Sequence, residues 1–528
     1  MIHYNYLEDT LWYLKTKYVI MKSKFLKRAL SFSLGAALTL GLAACGGGKD
    51  SNVSPDGKAN ISWFSSVTGW GPGNWNGTET CPLLDTLASD YGVTFTIEAP
   101  PADEDTKLGL MIATDALPNM ISLTNQTTVR ELISSGKVWD MKEFLETYDP
   151  DSHILSDFPD DIKITLDNTY GGWYSLPSHM TSPDNRQRFP ACSEVYTNIS
   201  SYGSNGAIMF NKTMMDALGI TQEDVQTEEG FYAACQRVKD SGYTVDGQSA
   251  IPVVLHGQNW TDTSLTIDET ALMTQIESGR VFCWIGNSAN SDKLDKIPWV
   301  SFGPITAANG AAAAMGVYKQ GSPGWIQTLI SKKCSNPEAL AKALSFATSR
   351  EGQLLNQWGI EGEDYTIDAE TGICTRTESG MKKWVDTYDN NMWLWPFNDN
   401  DFNSHTTAPA EAGTRDGYYN DIMVAMGMYD TTYIYDYALL DFQNSDVLEP
   451  SSDLGIALSQ IKSYMESAKA KIVTAATDAD FEKEYNDFIS TLESYGIADI
   501  DKAYNEYYKE YCKIFNDTIV DVNADLYK

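Results

Sequence analysis

Short apolar strands alternate with amphipathic helices along most of the chain, and no other feature restricts the fold as much. "ANISWFSS" (59–66) reads as a first strand. "CPLLDTLASDYGVTFTIEAPP" (81–101) is a helix, a Gly-containing turn and a strand in which Val93, Phe95 and Ile97 alternate. "DEDTKLGLMIATDALPNMISL" (103–123) repeats the helix–turn–strand unit, and "TTVRELISSGKVWDMKEFLETY" (127–148) is two helical pieces broken at Gly136. "NGAIMFNKTMMDALGI" (205–220) is a buried strand running into a helix that closes at Gly219. "FYAACQRVKDSGY" (231–243) is a helix, "AIPVVLHG" (250–257) a strand, and "ALMTQIESGRVFCWIGN" (271–287) a helix, a turn at Gly279 and a strand. Strands and helices in this alternation predict a parallel α/β sheet. "SNPEALAKALSFATSREGQLLNQWG" (335–359) opens with a capping box, Ser335 with Glu338, and carries an inward stripe of Leu340, Leu344 and Ala347. The last third reads as mostly helical: Phe481, Tyr485, Phe488 and Leu492 keep a 3–4 spacing, and Gly496 stops that helix. There is no internal repeat.

The first residues stand apart from this pattern. Lys22, Lys24, Lys27 and Arg28 precede an apolar run from about Ala29 to Leu42, which ends in Leu42-Ala43-Ala44-Cys45. Basic segment, apolar segment and small-residue boundary are the parts of a signal peptide, in order. The run is shorter than the roughly 20 residues a spanning helix needs. Its end resembles a bacterial lipobox. That resemblance implies diacylglycerol on the Cys45 thiol and cleavage before Cys45, which gives stable anchoring by two acyl chains. Residues 1–20, with Glu8 and Asp9, fit no signal peptide, and Met21 is the expected true start. Residues 1–44 are accordingly set aside as leader. Residues 45–57, rich in Gly, Ser and Asp, read as a flexible tether.

Composition narrows the function classes. The net charge is −34, with Lys and Arg abundant in the leader, so the body is strongly acidic. Such a surface repels nucleic acid and anionic glycans. Aromatic residues reach 12%, with 14 Trp and 29 Tyr, which suits either a Tyr-rich core or ring platforms for sugars. Beyond Cys45 the chain has Cys81, Cys192, Cys235, Cys283, Cys334, Cys374 and Cys512, with no CxxC and no Cys/His pair at metal-ligand spacing. Most read as small buried hydrophobes. No GxSxG, HExxH or P-loop is present, and His numbers only 5.

Several pieces, in this order, resemble the extracellular solute-binding proteins of ABC importers, in their lipoprotein, sugar-type (family 1) branch. They are "DALPNMI", "SGKVWDMKEFL", "GGWYSLP", "GAIMFNKTMMDALGI", "SGRVFCWIGN" and "NPEALAKALSFATSREGQLLNQWGIEGEDYTID". The resemblance implies a two-lobed, periplasmic-binding-protein-like (type II) α/β fold with a helical C-terminal part. Lobe one would take 58–180 and 295–350, and lobe two 181–294 and 351–528. Only residues 258–270 stand where relatives carry a long helical stretch, so lobe two is expected to be shortened there. Some relatives carry a calcium loop where this chain has "DSGYTVDGQSA" (240–250). Asp240 and Asp246 lack the alternating oxygens that calcium needs, so no metal and no cofactor is expected.

A sugar site needs flat rings for C–H faces and polar groups for hydroxyls. The Gly/Pro-rich loop after the first strand, "SSVTGWGPGNWNG", offers Trp70 and Trp75 as first candidates, with Trp63 assigned to the core. "GGWYSLPSH" adds Trp173, Tyr174 and His179, the last equally readable as a surface-loop imidazole. Trp260, the Trp393 and Trp395 pair, and Arg415 complete the set with Trp358 and Glu361 of "WGIEGE", where Trp358 is alternatively hinge packing. The sequence therefore points to a non-catalytic, lipid-anchored extracellular binding protein. It is expected to be a monomer capturing a neutral oligosaccharide for ABC permease subunits, with no nucleic-acid partner. A lipid-anchored glycan-degrading enzyme and a surface adhesin are the alternatives, since abundant carboxylates alone nominate no catalytic pair.

Overall fold

A computed structural model describes residues 57–67, 81–99, 104–192, 206–255, 274–287, 297–303, 305–308, 310, 313–317, 321–383, 399–408, 432–436 and 447–514. In chain order the strands are β1 (Ala59–Ser65), β2 (Val93–Glu98), β3 (Met120–Leu123), β4 (Ser175–Ser178) and β5 (Gly206–Asn211). They continue with β6 (Thr244–Val245), β7 (Gln248–Ser249), β8 (Ile251–Leu255), β9 (Val281–Asn287) and β10 (Trp299–Val300). The last are β11 (Ala313–Val317), β12 (Ile326–Ile330), β13 (Tyr365–Ile367), β14 (Cys374–Arg376) and β15 (Thr432–Asp436).

The first sheet has the order β2-β1-β3-β12-β4. β1 and β3 are parallel, with Trp63 opposite Met120. β12 is antiparallel to both β3 and β4, so the sheet is mixed rather than purely parallel as the alternation suggested. Every residue of β3 and β12 is buried, which a strand covered on both faces requires. Phe64, Ile121, Leu123 and Leu329 share one face with Leu108, Val129 and Leu132 from the helices Glu104–Thr114 and Gln126–Ser134. Burying each such side chain contributes roughly 1.5–3 kcal/mol. The alternate residues carry a polar line: Trp63 Nε1 donates to Ser122 Oγ at 2.9 Å, and Ser122 Oγ lies 2.8 Å from Thr328 Oγ1. Trp63 is a core residue, as the sequence implied.

The second sheet has the order β10-β5-β9-β8, with β5 antiparallel to its neighbours and β8 parallel to β9. Trp284 and Trp299 meet edge to face at 5.9 Å on one side, and Phe210 packs on Phe282 and Phe302 on the other. β10 belongs here, although the sequence division placed residues 295–350 with the first lobe. The reverse holds for helix Arg350–Gln357, which packs on helices Pro82–Asp90 and Pro337–Ala347 beside the first sheet. Residues 244–249 form the β6–β7 hairpin, turning through Asp246 and Gly247 at φ 50° and 76°. Arg280 Nε ties it down by donating to Ser249 O at 3.0 Å.

One local expectation needs correction. Helix Pro337–Ala347 is capped by Asn336 without a side-chain bond, not by a Ser335/Glu338 box. Ser335 Oγ instead faces the Asn119 side chain, and Glu338 pairs with Lys342 at 2.8 Å. The stripe Leu340, Leu344 and Ala347 is buried as read. The C-terminal part forms the helices Asp453–Val473, Asp478–Ser494 and Ile497–Ile514, and the residues at 3–4 spacing in the second are divided between core and surface. Leu492 joins the core of Leu448, Ile461 and Ile500, and Phe488 stacks on Tyr464, but Phe481 and Tyr485 stay about half exposed. The seven cysteines after Cys45 are free thiols, four of them buried.

Gly324 and Gly92 both have φ +64°, yet their surroundings differ. A Cβ on Gly324 would lie 1.9 Å from Ser178 O, whereas one on Gly92 would meet nothing within 4 Å. Gly92→Ala should therefore cost only the left-handed backbone penalty, roughly 1–2 kcal/mol. Gly324→Ala should cost clearly more, because β4 and β12 must part. Urea unfolding of both variants checks this, and equal losses would contradict the close approach.

Candidate functional site

The carboxyl ends of β1, β3 and β4 and the amino end of β12 lie along one edge of the first sheet. Ligands in open α/β sheets bind beyond such an edge. At the end of β1, Ser66 N donates to Ser122 O at 3.0 Å, and Ser66 Oγ accepts from Thr124 N at 3.1 Å. Asn125 follows, its Oδ1 capping helix Gln126–Ser134 through Thr127 N at 3.0 Å. Ile326 is paired with Ser178, so Trp325 and His179 are the next residues outward on β12 and β4. Trp325 Nε1 donates to His179 Nδ1 at 3.1 Å, and the ring centroids are 5.9 Å apart at 36°. Ser178 Oγ is 2.9 Å from the same Nδ1. An indole N–H can only donate, so Nδ1 is unprotonated and the neutral ring carries its hydrogen on Nε2. Packing by protein pushes His179 down to about 3, so this neutral form persists through ordinary pH. His179 also sits at φ 61°, a conformation unusual for residues other than Gly.

Behind this pair three chain segments run together. Thr181 and Ser322 exchange backbone bonds of 3.1 and 2.8 Å, and Asn400 N donates to Met180 O at 3.2 Å. Asn400 Nδ2 donates to His179 O at 3.2 Å. Buried carboxylates pin the junction. Asp401 accepts Ser182 N–H at 2.7 Å and the Thr181 hydroxyl at 3.2 Å, and Asp399 accepts Asn185 Nδ2 at 2.6 Å and Phe402 N–H at 2.9 Å. Asp161 accepts the Ser182 hydroxyl at 2.6 Å. Burial pushes the Asp401 carboxyl up to about 7, with the Asp399 charge adding to it and Arg186 opposing. Burial raises Asp399 and Asp161 as well.

Of the residues nominated from sequence, the structure puts His179 at this edge and others elsewhere. Trp173 is buried against Phe158 at 4.7 Å, with Lys163 over its ring and its Nε1 bonded to Ser175 O at 3.0 Å. It is a packing residue. Tyr174 is half-buried against the core of the first sheet. Both precede β4 while His179 follows it, and at about 3.3 Å per residue the strand separates the two groups. Trp358 is buried under Arg376 at 4.6 Å, with Nε1 bonded to Thr406 Oγ1 at 3.1 Å, which is the packing alternative. Glu361 is exposed on a turn bridged to Tyr365. Trp70, Trp75, Trp260, Trp393, Trp395, Arg415 and Cys45 lie outside the described residues. Trp325 was missed by the sequence reading. Its signal was present in "GSPGWIQTL", a Gly/Pro-rich loop carrying one Trp at a strand end, the composition that singled out Trp70.

No known protein family matches the sequence, and no curated protein does. Solved structures do match. The Streptococcus pneumoniae ABC-transporter substrate binding protein FusA, in complex with kestose, superposes with a TM-score of 0.59 at 14% identity, over 86% of this chain and 99% of that one. An extracellular solute-binding protein from Bifidobacterium longum subsp. infantis gives 0.59 at 14% identity, over 87% and 99%. An HMO-binding, ABC-transporter-associated solute binding protein from Bifidobacterium longum infantis gives 0.53 at 15%, over 88% and 100%. The chain therefore has the two-lobed α/β fold of these solute-binding proteins.

The junction carboxylates give a pH signature. A carboxyl whose folded value lies above its unfolded one, here 3.8, holds a proton the unfolded chain has released. That stabilisation is complete below pH 3.8 and is lost as pH rises through about 7. Other groups held equal, the melting temperature should fall between pH 5 and pH 8. Asp401→Asn, which keeps an acceptor without the charge, should flatten that slope. An unchanged slope in the variant would remove Asp401 from the account.

Proposed function

We propose that the chain is a lipid-anchored extracellular solute-binding protein that captures a carbohydrate, a neutral oligosaccharide, for an ABC importer. The observation that carries this reading is the edge of the first sheet, where an exposed indole, a neutral imidazole and hydroxyls gather at the strand ends of a solute-binding fold. Relatives of that fold are described as bound to kestose or as binding HMO, which supports a sugar as the solute. Trp70 and Trp75, following β1 in sequence, are proposed to face the same ligand, with Trp260, Trp395 and Arg415 as further contacts. The strong negative charge favours a neutral solute over an anionic one.

We divide the chain into leader 1–44, tether 45–57, and lobes sharing 58–180 with 295–350 and 181–294 with 351–528. β10 and helix Arg350–Gln357 depart from this division as described. Among the described residues no helix is long and apolar enough to cross a membrane. Attachment at the outer face of the cell membrane is assigned to diacylglycerol on Cys45, and the partners are the permease subunits, met by a monomer.

Two measurements test the reading. Titration of the purified protein with kestose and other neutral oligosaccharides by calorimetry should give saturable binding without turnover. Release of shortened sugars would favour a glycan-degrading enzyme instead. In cells, Cys45→Ser should move the folded protein out of the membrane fraction. Retention after a high-salt wash would overturn the lipid anchor.

A further inference from the structure

We propose that the buried Asp399–Asp401 pair holds a single proton, placed on Asp401 Oδ1 toward the Thr181 hydroxyl, and that losing it loosens segment 399–402 from 179–182 and weakens solute binding at the adjoining sheet edge. The proton's position stands on the geometry of the junction; its effect on binding rests on the carbohydrate-binding reading.

Both residues are almost wholly buried, at 2% and 1% exposure, with Asn400 between them in the chain. Asp399 faces N–H donors: Phe402 N at 2.9 Å, Asn185 Nδ2 at 2.6 Å and the backbone of Asp401. Such groups donate and cannot take a proton from the carboxyl, so Asp399 is the charged member. Asp401 Oδ2 likewise faces Ser182 N at 2.7 Å. Asp401 Oδ1 lies 3.2 Å from Thr181 Oγ1, and a hydroxyl accepts as readily as it donates. A proton on Oδ1 therefore keeps every oxygen of the pair bonded. The charged groups around the pair do not remove the need for it. Helix Pro183–Arg188 brings Arg186, with Nε 3.9 Å from Asp401 Oδ1, and Arg188, which pairs with Asp157 at 3.7 Å. Against them stand Asp184 of the same helix and Asp161 of helix Asp160–Tyr170, which accepts the Ser182 hydroxyl. Arg350 lies over the Phe402 ring at 5.8 Å, and His179 is neutral. Two like charges in one buried site oppose each other's formation, so one proton stays.

Loss of the proton to solvent breaks the Asp401 O–H bond and leaves a second negative charge in the same buried stretch. Thr181 can turn to donate, so that bond survives, but the repulsion between the carboxylates is not relieved in place. The contacts at risk are those of Asn400: its N–H to Met180 O and its Nδ2 to His179 O, both at 3.2 Å. His179 follows β4 at the ligand edge and is held at φ 61°. A positive φ of this kind persists while its surroundings enforce it. Freeing the His179 carbonyl therefore disturbs the strand end beside which a solute is ordered. By linkage, a solute that needs this end fixed favours the protonated pair. Its affinity is then full in acid and falls as pH rises through the value of about 7 to which burial pushes Asp401.

The test uses the full mature protein, with kestose and further neutral oligosaccharides as probes. Asp401→Asn offers Thr181 an N–H and Ser182 an oxygen, the bonding of the protonated group. In the ligand-free wild type, a protonated-carboxyl infrared band should be lost between pH 5 and pH 8. That change should be missing from Asp401→Asn and kept in Asp161→Asn. At pH 8 the backbone amide of Asn400 should exchange with solvent faster in the wild type than in Asp401→Asn. By calorimetry, wild-type affinity for the neutral sugar should fall roughly five-fold or more from pH 5 to pH 8, and Asp401→Asn should keep the acid value at both. A band change that survives in Asp401→Asn, or vanishes instead in Asp161→Asn, overturns the proton's position, as does an Asp401→Asn protein that fails to fold. Loss of the band with equal sugar affinity at both pH values overturns the coupling to the site. If no neutral sugar binds at either pH, the carbohydrate reading falls; the infrared band and the Asn400 exchange then decide the one-proton pair and the loosening by themselves.

Discussion

The antiparallel insertion of β12 between β3 and β4 is the contact on which the rest depends. The chain leaves the first sheet at the end of β4, builds the second sheet, and returns as β12 to complete the first. The bond from Ser175 Oγ to Gln327 Oε1 at 2.7 Å joins residues 152 positions apart, and Ser122 to Thr328 spans 206. Such pairings carry a large closure cost before they return anything, so they need a well-matched seat. β12 has one: its residues are fully buried, and Gly324 lets the incoming strand lie against the Ser178 carbonyl. Everything at the candidate site follows from that seat, since Trp325 meets His179 only because Ile326 is in register with Ser178.

The same region shows how buried carboxyl groups are accommodated where they are normally costly. Burying a carboxylate is unfavourable unless its oxygens are bonded. Asp399 and Asp401 stand where segments 178–182 and 399–402 run side by side, and their oxygens take up donors from Thr181, Ser182, Asn185 and Phe402. The junction of these segments is thus polar rather than apolar. An apolar junction would be stronger on burial alone but would not fix one register. Here each oxygen accepts a particular donor, and a slip of one residue would leave several unbonded.

Much of the fold was legible in the sequence, and the reason is periodicity. Val93, Phe95 and Ile97, or Leu340, Leu344 and Ala347, announce their element by spacing alone. β12 was not read. "WIQTLI" lacks a clean alternation because both its faces are covered, and the signal that it pairs with β3 lies some 200 residues away. The placement of the aromatic candidates has the same cause. Trp173 and His179 sit in one short motif, but a strand between them sends one to the core and the other to the edge. Trp358 looks like a loop tryptophan in "WGIEGE", yet Arg376 and Thr406, distant in sequence, enclose it. Composition marks where rings are available; only tertiary pairing decides which of them face solvent.

The arrangement also bears on how an acidic protein can treat charged and neutral small molecules differently. A net charge of −34 acts at a distance and penalises any anion before contact. The edge pair acts at contact and is uncharged, since the imidazole accepts a bond from the indole. A positive site within that acidic body would work against the surrounding field by drawing anions back in. A neutral one leaves the two effects aligned. Discrimination against anions is then built partly from repulsion, with no contrary charge from the edge pair. Because the backbone oxygen of His179 is held by Asn400 while its ring holds Trp325, the edge pair is tied directly to the junction. A load on the indole is therefore a load on the junction.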